Sequence, residues 1–213
     1  MTEEEARGWL ETHFDVPRGT WDRLERYIAI ILAEMDRQNL IAESTRPHIW
    51  ARHIVDSAQL IPLAARAGEG QWIDLGSGAG LPGIVVAILT DRPVQMVESR
   101  RKRIDFLNDV IAELGLSGAS VFGGRVETVP DARAAVISAR AYAPLPKLLA
   151  SAMHLSDEKT IWVLPKGRNA QNELEAASRS WQGAFHVERS VTDADSAIVV
   201  AQAVRSVSRK GRG

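Results

Sequence analysis

The sequence predicts an α/β domain built on a doubly wound, mostly parallel sheet and preceded by a helical extension. Three observations carry that expectation. Short, wholly apolar runs recur from residue 72 onward, the mark of strands buried on both faces. Helical stretches separate those runs, as crossover connections require. Upstream of them, apolar residues instead recur at three- and four-residue steps.

The elements can be placed in order. Trp21, Leu24, Ile28, Ile31, Leu32 and Met35 share one helical face, with Pro17, Thr20 and Asp22 as start signals. A second helix is expected over His48 to Ala65, with Ile49, Ile54, Ala58 and Ile61 on one side. Trp72 to Leu75 reads as the first strand, Gly83 to Leu89 as a helix, Val94 to Val97 as a strand and Ile104 to Leu114 as a helix. Further strands fall at Ser120–Phe122, Ala135–Ile137, Ile161–Leu164 and Ala197–Ala201, and Phe185–Val187 makes a seventh. This divides the chain into a helical region at 1–67 packed on the core, the α/β domain at 68–204 and a basic tail at 205–213.

Composition narrows the class. The 213 residues suit one full domain, and 45% hydrophobic with 25% charged excludes a disordered or fibrous chain. No apolar run reaches the roughly 18 residues of a membrane span. The acidic opening Met1-Thr2-Glu3-Glu4-Glu5 is the opposite of a secretory signal. With no cysteine, disulfides, thiolate metal sites and cysteine nucleophiles fall away. The expectation is a cytoplasmic protein without a membrane or metal partner. A net charge of −1 hides two basic clusters, Arg100-Arg101-Lys102-Arg103 and the tail's Arg205, Arg209, Lys210 and Arg212. Each is a solvated surface unless a nucleic-acid site elsewhere gives it a partner.

Asp74-Leu75-Gly76-Ser77-Gly78-Ala79-Gly80 follows the first strand directly, and Leu81-Pro82-Gly83 leads into a helix. Glycines are needed where a strand turns sharply and a ligand approaches the backbone. Glu98 ends the second strand, 18 residues after Gly80, where its carboxylate can accept hydrogen bonds from both hydroxyls of a ribose. Together these features point to an adenosine-containing cofactor. Gly78 to Gly83 matches the dinucleotide fingerprint G-x-G-x-x-G, but that register leaves Gly76 unexplained. The Asp-x-Gly-x-Gly-x-Gly register accounts for Asp74, Gly76, Gly78 and Gly80, with Ser77 between them, and resembles the first motif of S-adenosyl-L-methionine-dependent methyltransferases.

Other stretches extend the resemblance. Asn39-Leu40, Arg52-His53-Ile54-Val55-Asp56-Ser57, Asp74 to Gly83, Glu98-Ser99 with Lys102, Phe106-Leu107, Arg125-Val126-Glu127, Ala139-Arg140-Ala141 and Lys166-Gly167 occur in that order. From about Leu24 to Val200 the chain resembles the bacterial 16S ribosomal RNA guanine-N7 methyltransferases, the RsmG or glucose-inhibited division protein B family. Ile41 and Leu81 depart from residues common in that family, where threonine and phenylalanine are usual. The resemblance implies the class I methyltransferase fold, S-adenosyl-L-methionine as cofactor and methylation of guanine-527 of 16S ribosomal RNA. It also implies cofactor contacts at Gly76, Leu81, Val126, Glu127 and Arg140. Arg140, expected after the fourth strand, is the candidate for substrate positioning, since a guanidinium there can fork onto a carboxylate or phosphate.

The chemistry fits what the sequence lacks. Guanine N7 carries a lone pair and no proton, so methylation needs alignment and desolvation and no general base. No Asn/Asp-Pro-Pro-aromatic block follows the fourth strand and no cysteine serves pyrimidine C5. His53, Asp56 and Ser57 fall on one helical face, either as a buried network or as part of the site. If the partner is 16S ribosomal RNA, in the small subunit or an assembly intermediate, then Arg52, His53, Arg100, Arg101, Lys102 and Lys166 are the candidate RNA contacts. The protein is expected to act as a monomer. A nicotinamide-dependent oxidoreductase would explain the glycines and Glu98 but not Asp74 or the Arg-His-x-x-Asp-Ser block. A non-catalytic RNA-binding module would explain only the cations.

Overall fold

A computed structural model describes residues 1–207. Its sheet contains β1 (Trp72–Leu75), β2 (Val94–Glu98), β3 (Ala119–Gly123), β4 (Val136–Ala139), β5 (Ile161–Gly167), β6 (Trp181–Arg189) and β7 (Ala197–Ser206). The order is β3-β2-β1-β4-β5-β7-β6. The first five strands run parallel, and β7 lies antiparallel between β5 and β6. This is the expected doubly wound, mostly parallel seven-stranded sheet, and all seven strands fall where the apolar runs predicted them. Strand order reverses between β1 and β4, so the crevice at their C-terminal ends is the natural ligand position.

The helices are α1 (Glu3–His13), α2 (Arg18–Glu34), α3 (Asp56–Ala58), α4 (Leu60–Leu63), α5 (Gly83–Leu89), α6 (Arg101–Leu114), α7 (Leu145–Ala152) and α8 (Ala170–Ala177). Leu10, Leu24, Tyr27 and Ile31 pack with Ile84, Val85 and Leu107 in one apolar layer, so the N-terminal helices share a core with one face of the sheet. Leu148, Leu149, Trp162 and Trp181 fill the layer on the opposite face.

Two local readings need correction. Helix α1 went unrecognised, although Thr2 and Glu5 form a capping box: Thr2 Oγ1 accepts the Glu5 N–H at 3.1 Å and the Glu5 carboxylate accepts the Thr2 N–H at 2.7 Å. The acidic opening is a helix start, favoured by the helix dipole. Nor is the stretch from His48 to Ala65 one helix. A tight 3-10 turn at Glu43–His48 passes into a wide π-turn at Trp50–Val55 before α3 and α4. Pro47 and Pro62 have no N–H to continue an α-helical ladder, and the Glu3 carboxylate takes up the Trp50 and Ala51 N–H groups at 3.0 Å each. Arg205 belongs to β7, while Arg209, Lys210 and Arg212 of the basic tail lie outside the described residues.

Candidate functional site

The loop after β1 is built by residues that hold one another. Gly76, Gly78 and Gly80 all adopt left-handed backbone, with φ of +65°, +59° and +90°. A Cβ on Gly76 would stand 2.7 Å from Tyr142 Cδ2, and one on Gly80 would run into Ile84 and come within 3.0 Å of Leu107. The buried Tyr27 hydroxyl donates to the Ala79 carbonyl at 2.7 Å, tying α2 to the loop. Ser77 Oγ turns back onto the Asp74 carbonyl at 2.9 Å. Asp74 itself is fully buried. Its carboxylate accepts the Gly83 N–H at 3.2 Å and the Ser138 hydroxyl at 2.7 Å, which fastens β1 to β4 and to the start of α5. Burial pushes Asp74 up to about 6, against the lowering effect of its hydrogen bonds from Ser138 and Gly83.

Glu98 at the end of β2 faces the same loop. One carboxylate oxygen accepts the Gly78 N–H at 3.0 Å, and the other accepts the Ser99 and Arg100 N–H groups at 2.8 and 2.9 Å. Arg103 stands 3.9 Å away. Glu98 opens on a cavity of about 450 Å³ that Gly76, Arg100, Val126, Glu127 and Tyr142 also line. The residues suit an adenosine-bearing ligand: a carboxylate acceptor beside a glycine backbone, and the buried Val126 as an apolar wall for a base. Of the residues expected at the cofactor, Gly76, Glu98, Val126 and Glu127 line this space. Asp74, Ser77, Gly78 and Gly80 shape the loop behind it, and Leu81 is buried in the apolar core at 4% exposure.

Arg140 lies just beyond β4 and lines a second cavity of about 620 Å³. Its guanidinium donates from Nη1 to Asp56 Oδ2 at 3.2 Å and to the Arg52 carbonyl at 3.3 Å. From Nη2 it donates to His53 Nδ1 at 3.1 Å. His53 Nε2 is 2.7 Å from Thr45 Oγ1, so both ring nitrogens are taken up within the fold. Burial, with the nearby charges of Arg140 and Arg52, pushes His53 down to about 3 and keeps it neutral. Asp56 also accepts from Thr192 at 3.0 Å and Arg52 pairs with Asp193 at 2.8 Å, closing the β6–β7 loop over this cavity. The π-turn thus serves the site by bringing the Arg52 carbonyl and the His53 ring to Arg140, with Asp56 beside them at the start of α3.

The two cavities share Ala141 and Tyr142. Ala141 has φ of +52°, uncommon for a residue with a Cβ and frequent where function fixes the backbone. No periodicity marks Tyr142 or the β6–β7 loop residues Thr192 and Asp193, and sequence reasoning missed all three. The cations divide by place. Arg100 lines the smaller cavity, Arg101 is exposed and pairs with Asp105, and Lys102 borders a separate groove beside Glu34 and Gln38. Lys166 is within β5, donates to the Ala143 carbonyl at 2.7 Å and pairs with Glu173 at 3.0 Å. Among the described residues, no helix is long and apolar enough to cross a membrane, and no group of three or more His, Cys, Asp or Glu is placed to hold a metal ion.

A family model described as rRNA small subunit methyltransferase G matches residues 20–200. A protein of Rhizorhabdus wittichii named Ribosomal RNA small subunit methyltransferase G is 54% identical over 216 residues, covering 100% of this chain and 99% of its own length. One of the same name from Sphingopyxis alaskensis is 52% identical over 210 residues, covering 99% and 90%. Among solved structures, a SAM dependent methyltransferase from Aquifex aeolicus superposes with a TM-score of 0.58 at 12% identity, over 74% of this chain and 93% of its own. The glycopeptide N-methyltransferase MtfA with bound S-adenosyl-L-methionine gives 0.57 at 12% identity, over 69% and 93%. At that identity the structures share the fold alone.

Proposed function

The chain belongs to the rRNA small subunit methyltransferase G family, and we propose that it transfers a methyl group from S-adenosyl-L-methionine to N7 of a guanine in 16S ribosomal RNA. It is a methyltransferase of small-subunit ribosomal RNA that uses S-adenosyl-L-methionine. One observation carries the finer reading: a cavity lined by Gly76, Glu98 and Val126 shares Ala141 and Tyr142 in its lining with a larger one lined by Arg140.

When bound, the cofactor supplies an electrophilic methyl group on sulfur. The residues of the chain then have three tasks. Gly76, Glu98 and Val126 hold the adenosine in the smaller cavity, with Asp74 keeping the loop in shape behind them. Arg140 positions the nucleotide in the larger cavity, its guanidinium already fixed by His53 and Asp56. Ala141 and Tyr142, which line both cavities, set the line along which the N7 lone pair approaches, and alignment is the main source of rate when no proton has to move.

Arg100, Arg101 and Lys102 suit phosphates of the same RNA. A net charge of −1 disfavours indiscriminate nucleic-acid binding and favours a folded target, the small subunit or one of its assembly intermediates. The protein acts as a monomer in the cytoplasm, where that target is assembled. The test is to titrate the protein with S-adenosyl-L-methionine and with a nicotinamide dinucleotide, then offer methyl-labelled cofactor to unmethylated small subunits and to bare 16S RNA. Selective binding of the first ligand and faster label transfer to subunits are expected; nicotinamide binding without transfer would remove the reading.

A further inference from the structure

The larger cavity contains a second polar pair, one that serves neither cofactor nor Arg140. Glu173, in α8, lines it together with Lys166. One Glu173 oxygen, Oε2, accepts the Leu145 N–H at 2.7 Å and stands 3.0 Å from Lys166 Nζ. The other oxygen has no partner among the described residues. Lys166 Nζ also donates to the Ala143 carbonyl, which leaves one of its three protons unassigned. The cavity's other carboxylate, Asp56, has both oxygens engaged, by Gln59 and Thr192 on one and Arg140 on the other. The Lys166 side chain is only 6% exposed, a poor position from which to meet a phosphate on the surface.

Lys166 thus keeps one donor, and Glu173 one acceptor, beyond the bonds with which they hold Ala143 and Leu145, just after Tyr142 in the chain. Guanine presents the complement, with the O6 acceptor adjacent to the N1–H donor. Adenine presents the reverse, an amine beside a lone pair. We propose that Lys166 and Glu173 read the Watson–Crick edge of the target guanine, Lys166 donating to O6 and Glu173 accepting from N1–H; this rests on the guanine-methylating function above. Adenine there would set its amine against the third Lys166 proton and its N1 lone pair against the free Glu173 oxygen, two repulsive contacts in place of two hydrogen bonds. Methylation makes the purine cationic, so the N1–H···carboxylate bond strengthens along the reaction. Part of the effect then appears in kcat.

The competing role for Glu173 is to cap α7, whose N-cap Pro144 makes no side-chain bond. A selectivity ratio separates the two. Small subunits are reassembled with guanosine or 2-aminopurine at the methylated position; 2-aminopurine keeps N7 but lacks O6 and N1–H. Any difference in N7 reactivity cancels when the same ratio is compared between enzymes. In Glu173→Gln the carbonyl stays with Leu145 and the amide turns a donor toward N1–H. The variant is expected to lose about 10–100-fold on guanosine, as for a hydrogen bond to a charged group, with little change on 2-aminopurine and unchanged cofactor affinity. An equal loss on both substrates, or a wild-type ratio near one, would overturn the assignment. If Glu173→Gln no longer binds cofactor, Glu173→Asp, which withdraws the carboxylate by one methylene, gives the same ratio. Failure of the wild type to methylate guanosine subunits would instead overturn the function itself.

Discussion

His53 Nδ1 accepts a hydrogen bond from Arg140 Nη2 at 3.1 Å. Arginine is always protonated, so Nδ1 must offer its lone pair and the ring proton must sit on Nε2, donating to Thr45 Oγ1 at 2.7 Å. The Thr45 hydroxyl passes its own proton to the Ala42 carbonyl at 2.6 Å. Every direction in this chain is fixed, from the turn at residue 42 to the guanidinium beyond β4. His53 is therefore a positioning residue acting through Arg140.

Replacing His53 by alanine should free the Arg140 guanidinium to swing. We expect kcat to fall about 10–100-fold, the scale of a small misplacement at a reacting centre, with cofactor affinity unchanged. His53→Asn keeps an acceptor near the Nδ1 position and should recover most of the loss. If asparagine and alanine behaved alike, the acceptor role would be wrong.

The same ring makes stability depend on pH. Its folded value of about 3 lies below the ordinary 6.5, so the unfolded chain binds the proton first. Stability from this group is present above pH 6.5 and is lost as pH falls from there toward 3, at about 1.4 kcal/mol per unit. Asp74 works the other way: its folded value of about 6 exceeds the ordinary 3.8, so between those values acidification favours the folded state. The two oppose each other in wild-type protein. His53→Asn removes one of them. Its stability deficit in urea unfolding should narrow between pH 7 and pH 5; a constant deficit would contradict a neutral His53.

At Gly76 both the backbone and the space demand glycine. Gly76→Ala places a Cβ at φ +65° and 2.7 Å from the Tyr142 ring. The left-handed conformation alone costs about 1–2 kcal/mol, and the ring must also move. Cofactor affinity should drop about tenfold or more by calorimetry. The double variant with Tyr142→Ala should regain only the steric part.

Arg101 gives a contrasting prediction, because its side chain is 85% exposed and, among the described residues, pairs only with Asp105 one turn along α6. Arg101→Glu should weaken RNA binding and reduce the salt dependence by about one counterion, leaving cofactor affinity as it was. Equal loss of both would remove Arg101 from the RNA face.

Much of this was legible in the sequence because it is local. The seven strands announce themselves as apolar runs, and the loop from Asp74 to Gly80 as glycines at alternate positions. Glu98 reads from the sequence as a ribose acceptor at a strand end, whereas its bonds to the Gly78, Ser99 and Arg100 N–H groups are visible only in the structure. What escaped was long-range or irregular. Tyr142 and Glu173 meet the site only through the crossing of β4, β5 and α8, which no short-range pattern encodes. The π-turn at Trp50–Val55 departs from the 3.6-residue period and so read as plain helix. Helix α1 differs in kind: its Thr2–Glu5 capping box is local, and the sequence shows it beneath what reads as acidic composition.

The central claim is that the two cavities that share Ala141 and Tyr142 bring a cofactor methyl group to N7 of a ribosomal guanine. It is tested most directly by digesting 16S RNA from small subunits labelled with methyl-tritiated S-adenosyl-L-methionine and identifying the labelled nucleoside. The prediction is a single labelled product, 7-methylguanosine, whose yield drops in Arg140→Ala while cofactor binding stays. Label in any other nucleoside, or none in RNA despite tight cofactor binding, would contradict it.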